Sequence, residues 1–130
     1  MNLAQYFEAA EGLGILATAD AEGKPNAAIY AKPHVIDEET VALIMADRKS
    51  LANVRTNPCA YYLFKESGDG FKGKRLVLKR VREEQDKTLI ESMRRKPQAS
   101  SSFMRDGETR VLVYFNVVRI IPLIGGLSEP

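Results

Sequence analysis

Thr109–Ile121 is the longest run of β-branched and aromatic residues in the chain, and Pro122 with Gly125-Gly126 ends it. Branched side chains lose rotamer freedom in a helix and fit a pleated surface, so the run reads as a strand. A strand that long presents backbone donors and acceptors along both edges and therefore needs neighbours. Five further runs can supply them: Ile15–Ala19, Asn26–Lys32, Thr40–Ala46, Cys59–Glu66 and Lys74–Arg82. The turn formers Asp20–Pro25, Asp37-Glu38-Glu39 and Ser67-Gly68-Asp69-Gly70 separate several of them, which makes the connections hairpins. A doubly wound sheet would alternate strands regularly with crossover helices, so the pattern favours a mainly β fold, a small antiparallel barrel of six strands.

Three short helices are expected around it. Asn2–Gly12 places Leu3, Tyr6, Phe7 and Ala10 at helical spacing, with Gly12 and Gly14 as stop signals. Ser50–Asn57 follows, with Asp47 or Ser50 as its N-cap and Asn57-Pro58 as its end. Glu83 to Lys96 has acidic residues first and Arg94, Arg95 and Lys96 last, matching the helix dipole, and Pro97–Gly107 is a polar connection.

With 130 residues there is room for one domain, residues 1–130, and for a core that folds without staples. No apolar stretch approaches the ~18 residues of a membrane span. One cysteine, Cys59, and no leader-like opening point to the cytoplasm. His34 is the only histidine, so His/Cys metal clusters and two-thiol redox motifs are excluded and no metal is expected. Gly68–Lys74 fits G-x-x-x-x-G-K, but Arg75 stands where a P-loop needs Ser or Thr, and a strand follows where it needs a helix.

Charge is uneven. Residues 72–105 carry a net +7, against −4 before them and −1 after. That could attract an acidic partner or a nucleic acid, or simply be a solvated cationic face. Strand alternation puts Arg75 and Lys79 on one face and Lys74, Arg80 and Arg82 on the other, which breaks any continuous groove for a polyanion. One face could still border a ligand cleft.

The informative segment is Thr40–Pro58, where an apolar strand delivers Arg48, Lys49 and Ser50 to a helix start. Cations, a hydroxyl and free backbone N–H groups converging there would suit a terminal phosphate. A capped surface helix with two solvated cations would show the same residues.

A resemblance bears on that choice. The Gly-Ile-Leu-Ala-Thr-Ala-Asp strand from Gly14, the Glu-Gly-Lys-Pro turn and the Leu-Ile-Met-Ala-Asp-Arg-Lys-Ser-Leu-Ala-Asn-Val segment before Asn57-Pro58 resemble the FMN-binding split barrels. These form the pyridoxamine 5′-phosphate oxidase-like superfamily, and the likeness is greatest to its small stand-alone members. It implies a six-stranded split barrel that dimerises, with FMN in clefts at the dimer interface. By position, Arg48, Lys49 and Ser50 would hold the flavin phosphate, with Asn53 as a further contact. The strand Ile29-Tyr30-Ala31-Lys32 would lie along the flavin ring and Ile44, Met45 and Ala46 beside it, largely through backbone. The chain has no Trp and so lacks the tryptophan-containing C-terminal signature of authentic pyridoxamine phosphate oxidases, which disfavours vitamin B6 as substrate. The resemblance implies a flavin-dependent oxidoreductase with no catalytic side chain identified. A deazaflavin or other planar cofactor in the same cleft, or a nucleic-acid-binding barrel, remains open.

Overall fold

The computed structural model describes residues 2–94 and 108–125. In chain order the elements are α1 (Leu3–Ala9), β1 (Gly12–Ala19), β2 (Pro25–Ile29), β3 (His34–Asp37), β4 (Thr40–Ala46), α2 (Lys49–Thr56), β5 (Cys59–Glu66), β6 (Gly73–Glu84), α3 (Lys87–Arg94) and β7 (Arg110–Pro122). The seven strands form one sheet in the order β2-β1-β5-β6-β7-β4-β3, every pairing antiparallel. The sheet is not closed, since β2 and β3 remain its edges. Leu16, Met45, Tyr62, Phe64, Leu76, Leu78, Val113 and Phe115, from five strands, share one buried cluster with Leu3 and Phe7 of α1 and Leu51 and Val54 of α2. A sheet curled around a single core but left open is consistent with a split barrel.

The strand count is seven and not six, and Pro33 explains why. Lacking an N–H, it cannot continue a ladder. The run read as Asn26–Lys32 therefore stays in the sheet only to Ile29, beside β1, and the chain re-enters at His34 on the opposite edge, beside β4. Two other boundaries move. Gly12 and Gly14 lie within β1 and pair with Glu66 and Phe64, so they open a strand as well as ending a helix. Glu83 and Glu84 belong to β6, paired with Val113 and Leu112, because ladder pairing outweighs their helix preference. α3 starts later, where the Asp86 carboxylate accepts from the N–H groups of Thr88 (2.9 Å) and Leu89 (3.2 Å). Arg95, Lys96 and the Pro97–Gly107 connection lie outside the described residues.

β7 shows why its sequence is apolar without alternation. Val111, Val113 and Phe115 enter the main core, while Leu112 and Tyr114 join Ala42, Ile44 and Ile90 beneath α3. Both faces of its first half are buried. Further along, Val118 and Ile120 are exposed.

Two contacts fix the elements that matter for function. The buried Tyr62 hydroxyl donates to the Ala31 carbonyl at 2.8 Å, passing directly over Gly14. A Cβ at Gly14 would land on the Tyr62 hydroxyl and the Tyr30 carbonyl oxygen. At the far end of α2, Glu83 accepts from Arg55 Nη2 at 2.7 Å and Arg80 Nη2 at 2.9 Å, tying the helix to β6.

Both support predictions. Gly14→Ala should cost about 2–3 kcal/mol by overpacking, read as a lower urea midpoint with an unchanged m-value. The Arg55 hydrogen bond, opposed by partial burial and reinforced by Arg80, lowers the Glu83 carboxyl from its ordinary 4.5. A lowered folded-state value contributes stability that is complete above the ordinary value and lost as pH falls through the lowered one. Glu83→Gln should therefore be less stable than the parent at pH 7, and thermal unfolding should show the difference shrinking below pH 4.5.

Candidate functional site

β4 leaves the sheet through a tight turn: the Asp47 N–H donates to the Thr109 carbonyl at 3.1 Å and the Arg48 N–H to the Ala46 carbonyl at 2.8 Å. Arg48 then occupies the N-cap position of α2 in an extended conformation, with no side-chain capping bond and no acidic residue in the first turn. The expectation that Asp47 or Ser50 would cap the helix is not met. Asp47 is exposed, and the Ser50 hydroxyl accepts from Asn26 Nδ2 at 3.3 Å. The first-turn N–H groups thus gain no acceptor from a capping side chain, which leaves the positive end of the helix open to an anion.

Around that end the structure gathers four residues singled out from the sequence. The Arg48 guanidinium grips Glu108 through Nε at 2.8 Å and Nη2 at 2.5 Å. Lys49 is exposed and acts on Asp20, whose carboxyl is held below its ordinary value first by the Lys24 backbone N–H and further by the Lys49 charge. Ser50 is buried. The half-buried Tyr30 reaches the same corner: burial pushes its phenol up to about 12, and the Ser50 hydroxyl and Arg48 charge pull the other way. It stays a protonated donor at any physiological pH. Asn26 was missed, although period-2 alternation from Tyr30 places it on the same side of β2.

Other expected residues go elsewhere. Asn53 is 1% exposed, and its Nδ2 donates to Thr18 Oγ1 at 3.0 Å, fastening α2 to β1. Lys32 Nζ turns to the Ala10 carbonyl at 2.9 Å and to Glu11. Ile29 is exposed on the outer sheet face, and Ala31 is buried and held by Tyr62. The side chains of Ile44, Met45 and Ala46 are buried, so a ligand beside them meets backbone. That backbone is accessible in pairing terms: β4 pairs with β7 through Ala46, whereas its register with β3 stops at Ala42. A planar ring read by main-chain groups fits such a one-sided edge.

The alternation expected for the basic strand holds only as far as a bulge in β6: the register shifts between Arg80 and Arg82, so Arg80 lies opposite Phe115 and Arg82 opposite Tyr114, on opposite faces, and Arg82 does not share the face of Lys74 and Arg80. Lys74 sits over the Tyr6 ring, whereas Arg75 donates to the carbonyls of Pro122 and Gly125 at 2.9 and 2.8 Å. Arg80 is paired with Glu83, and Arg82 stacks on Tyr114. Three strands separate Cys59 on β5 from His34 on β3, so the two cannot form a nucleophile pair. The Gly68–Lys74 stretch forms the β5–β6 hairpin, with Gly68 and Gly70 at positive φ. Among the described residues no group of three His, Cys, Asp or Glu side chains is placed to hold a metal ion.

No protein-family model and no curated protein matches the sequence. Solved structures do. An FMN-binding protein from Syntrophomonas wolfei subsp. wolfei is similar at 16% identity and a TM-score of 0.74, over 92% of this chain and 82% of that one. A candidate pyridoxamine 5′-phosphate oxidase from Listeria innocua has 16% identity and a TM-score of 0.65, over 93% and 94%. An F420 reductase has 14% identity and a TM-score of 0.61, over 84% and 88%. The chain thus has the fold shared by FMN-binding and pyridoxamine 5′-phosphate oxidase-like proteins.

Proposed function

We propose that the chain binds FMN and serves as a small flavin-dependent oxidoreductase. The observation that carries this reading is the uncapped start of α2, flanked by Arg48 and Lys49, beside the one-sided edge of β4. Arg48 and Lys49 supply charge for the terminal phosphate; the Ser50 hydroxyl and the first-turn N–H groups supply hydrogen bonds. Backbone groups of Ile29–Lys32 and Ile44–Ala46 orient the ring, and the Tyr62 bond to Ala31 holds the first of these segments in place. Bound flavin would carry the hydride or electron transfer that no side chain here can perform. The likeness to an F420 reductase favours a deazaflavin as the second reading, since backbone contacts do not distinguish the rings.

The protein would work as a homodimer in the cytoplasm, with the cofactor clefts at the dimer interface. Its outer sheet face supports this: Ile29, Ile15 and Leu63 lie in one cross-strand row, and Ala27, Ala17, Tyr61 and Val77 in the next. Ile29 at 53% and Tyr61 at 43% exposure leave this apolar patch uncovered on a single chain.

Purified protein should show flavin absorbance or take up added FMN with a change in its fluorescence. The spectrum of a deazaflavin would reassign the cofactor, and no ligand absorbance together with no FMN titration would end the proposal. Lys49→Ala should weaken FMN binding roughly ten- to a hundred-fold while leaving riboflavin, which lacks the phosphate, unaffected. For the assembly, sedimentation equilibrium at micromolar concentration should give a dimer, and the Ile29→Lys, Tyr61→Lys double variant a folded monomer.

A further inference from the structure

We propose that Glu108 and the ligand's phosphate compete for Arg48, and that the displaced carboxylate is received by Arg94 in the cavity under α3. This inference rests on the phosphate-site reading above and adds a regulatory contact to it. Arg48 offers its two-pronged fork to both oxygens of Glu108. Fork-to-carboxylate and fork-to-phosphate geometry are alike, so one anion can replace the other on the same donors. The pair is partly solvated, with side-chain exposures of 47% for Arg48 and 20% for Glu108. Ion pairs in such surroundings are worth little, which makes this one displaceable. A phosphomonoester brings close to two charges and three strong acceptor oxygens where the carboxylate brings one charge and two oxygens, so exchange favours the ligand.

The second observation concerns where Glu108 would go. Its side chain also lines a cavity of about 370 Å³ between α3 and the start of β7, together with Lys87, Glu91, Arg94 and Arg110. Glu91 accepts from Arg94 Nη1 at 2.9 and 3.1 Å, but Arg94 Nε is buried with no hydrogen-bond partner among the described residues. A buried donor left unpaired costs free energy that an arriving carboxylate would recover. Glu108 therefore stands between Arg48 at the phosphate corner and Arg94 beneath α3, in a cavity that Lys87 and Arg110 also line. Phosphate at Arg48 would shift it from the first to the second.

A double-mutant cycle on the full chain tests this, with FMN and riboflavin affinities measured by fluorescence titration and thermal unfolding as the control for folding. Glu108→Gln removes the competitor and should tighten FMN about three- to tenfold without changing riboflavin. Arg94→Met removes the receiving group far from the phosphate; it should weaken FMN about threefold in the parent and have no effect in the Glu108→Gln background. Weaker FMN binding in Glu108→Gln would mean that the carboxylate positions Arg48, and would overturn the proposal. So would an Arg94→Met effect that persists without Glu108. Failure of the unmodified protein to bind FMN would remove the phosphate-site reading as well, whereas either variant result against a binding-competent parent removes only the competition.

Discussion

The hydrogen bond from the Tyr62 hydroxyl to the Ala31 carbonyl governs how this sheet opens and where its site lies. It crosses a point where β1 has no side chain, Gly14, so a residue on β5 can reach through the sheet's inner face to a segment beyond β2. Burial pushes the Tyr62 phenol further towards its protonated, donating form. Tyr30 still donates to the Gly14 carbonyl of β1 at 3.0 Å, and beyond it the held carbonyl and Pro33, which has no N–H, end the pairing. The chain crosses instead to β3 on the opposite edge, and the barrel stays split. The Tyr30 side chain, one residue before the anchored carbonyl, is directed to Ser50 and Arg48. A single bond between residues 31 positions apart thus acts with Pro33 where the sheet opens and fixes the backbone next to Tyr30.

Much of the architecture was legible because turn chemistry and side-chain period act locally. The Asp20–Pro25 turn, the Ser67–Gly70 turn and the Asn57-Pro58 helix stop all sit where composition puts them. What was not legible depends on tertiary pairing. The helix preference of Glu83 and Glu84 lost to ladder bonds with β7, and β3 is only four residues long, too short to declare itself by alternation. The site was legible in part. Arg48, Lys49 and Ser50 converge because they are consecutive at a helix start. The bond from Asn53 to Thr18 was not legible, because nothing in a single sequence says which face of a short helix meets the sheet. Asn26 was overlooked because an asparagine at a strand start is ordinary turn chemistry. Glu108 is separated from Arg48 by 60 positions, and only the adjacency of β4 and β7 joins them.

The electrostatics of that corner are conservative. Arg48 faces Glu108, Lys49 faces Asp20, and Asp47 stands beside both in sequence. Unpaired, two cations at the positive end of a helix would repel each other and the helix dipole. The carboxylates relieve this without filling the helix end itself, which is the part left without a side-chain acceptor. An incoming dianion can satisfy the N–H groups and the cations together.

The fold also explains how one framework can appear in an FMN-binding protein and in an F420 reductase. The open edge of β4 offers backbone groups, and the side chains of Ile44, Met45 and Ala46 are turned into the core or under α3. Main-chain donors and acceptors recur in every strand and carry no identity of their own, so they can seat a planar ring without choosing it. Choice among cofactors then has to come from groups that reach the rest of the ligand. On the reading proposed above, those would be Tyr30, Arg48, Lys49 and Ser50, which meet at one corner beside the start of α2.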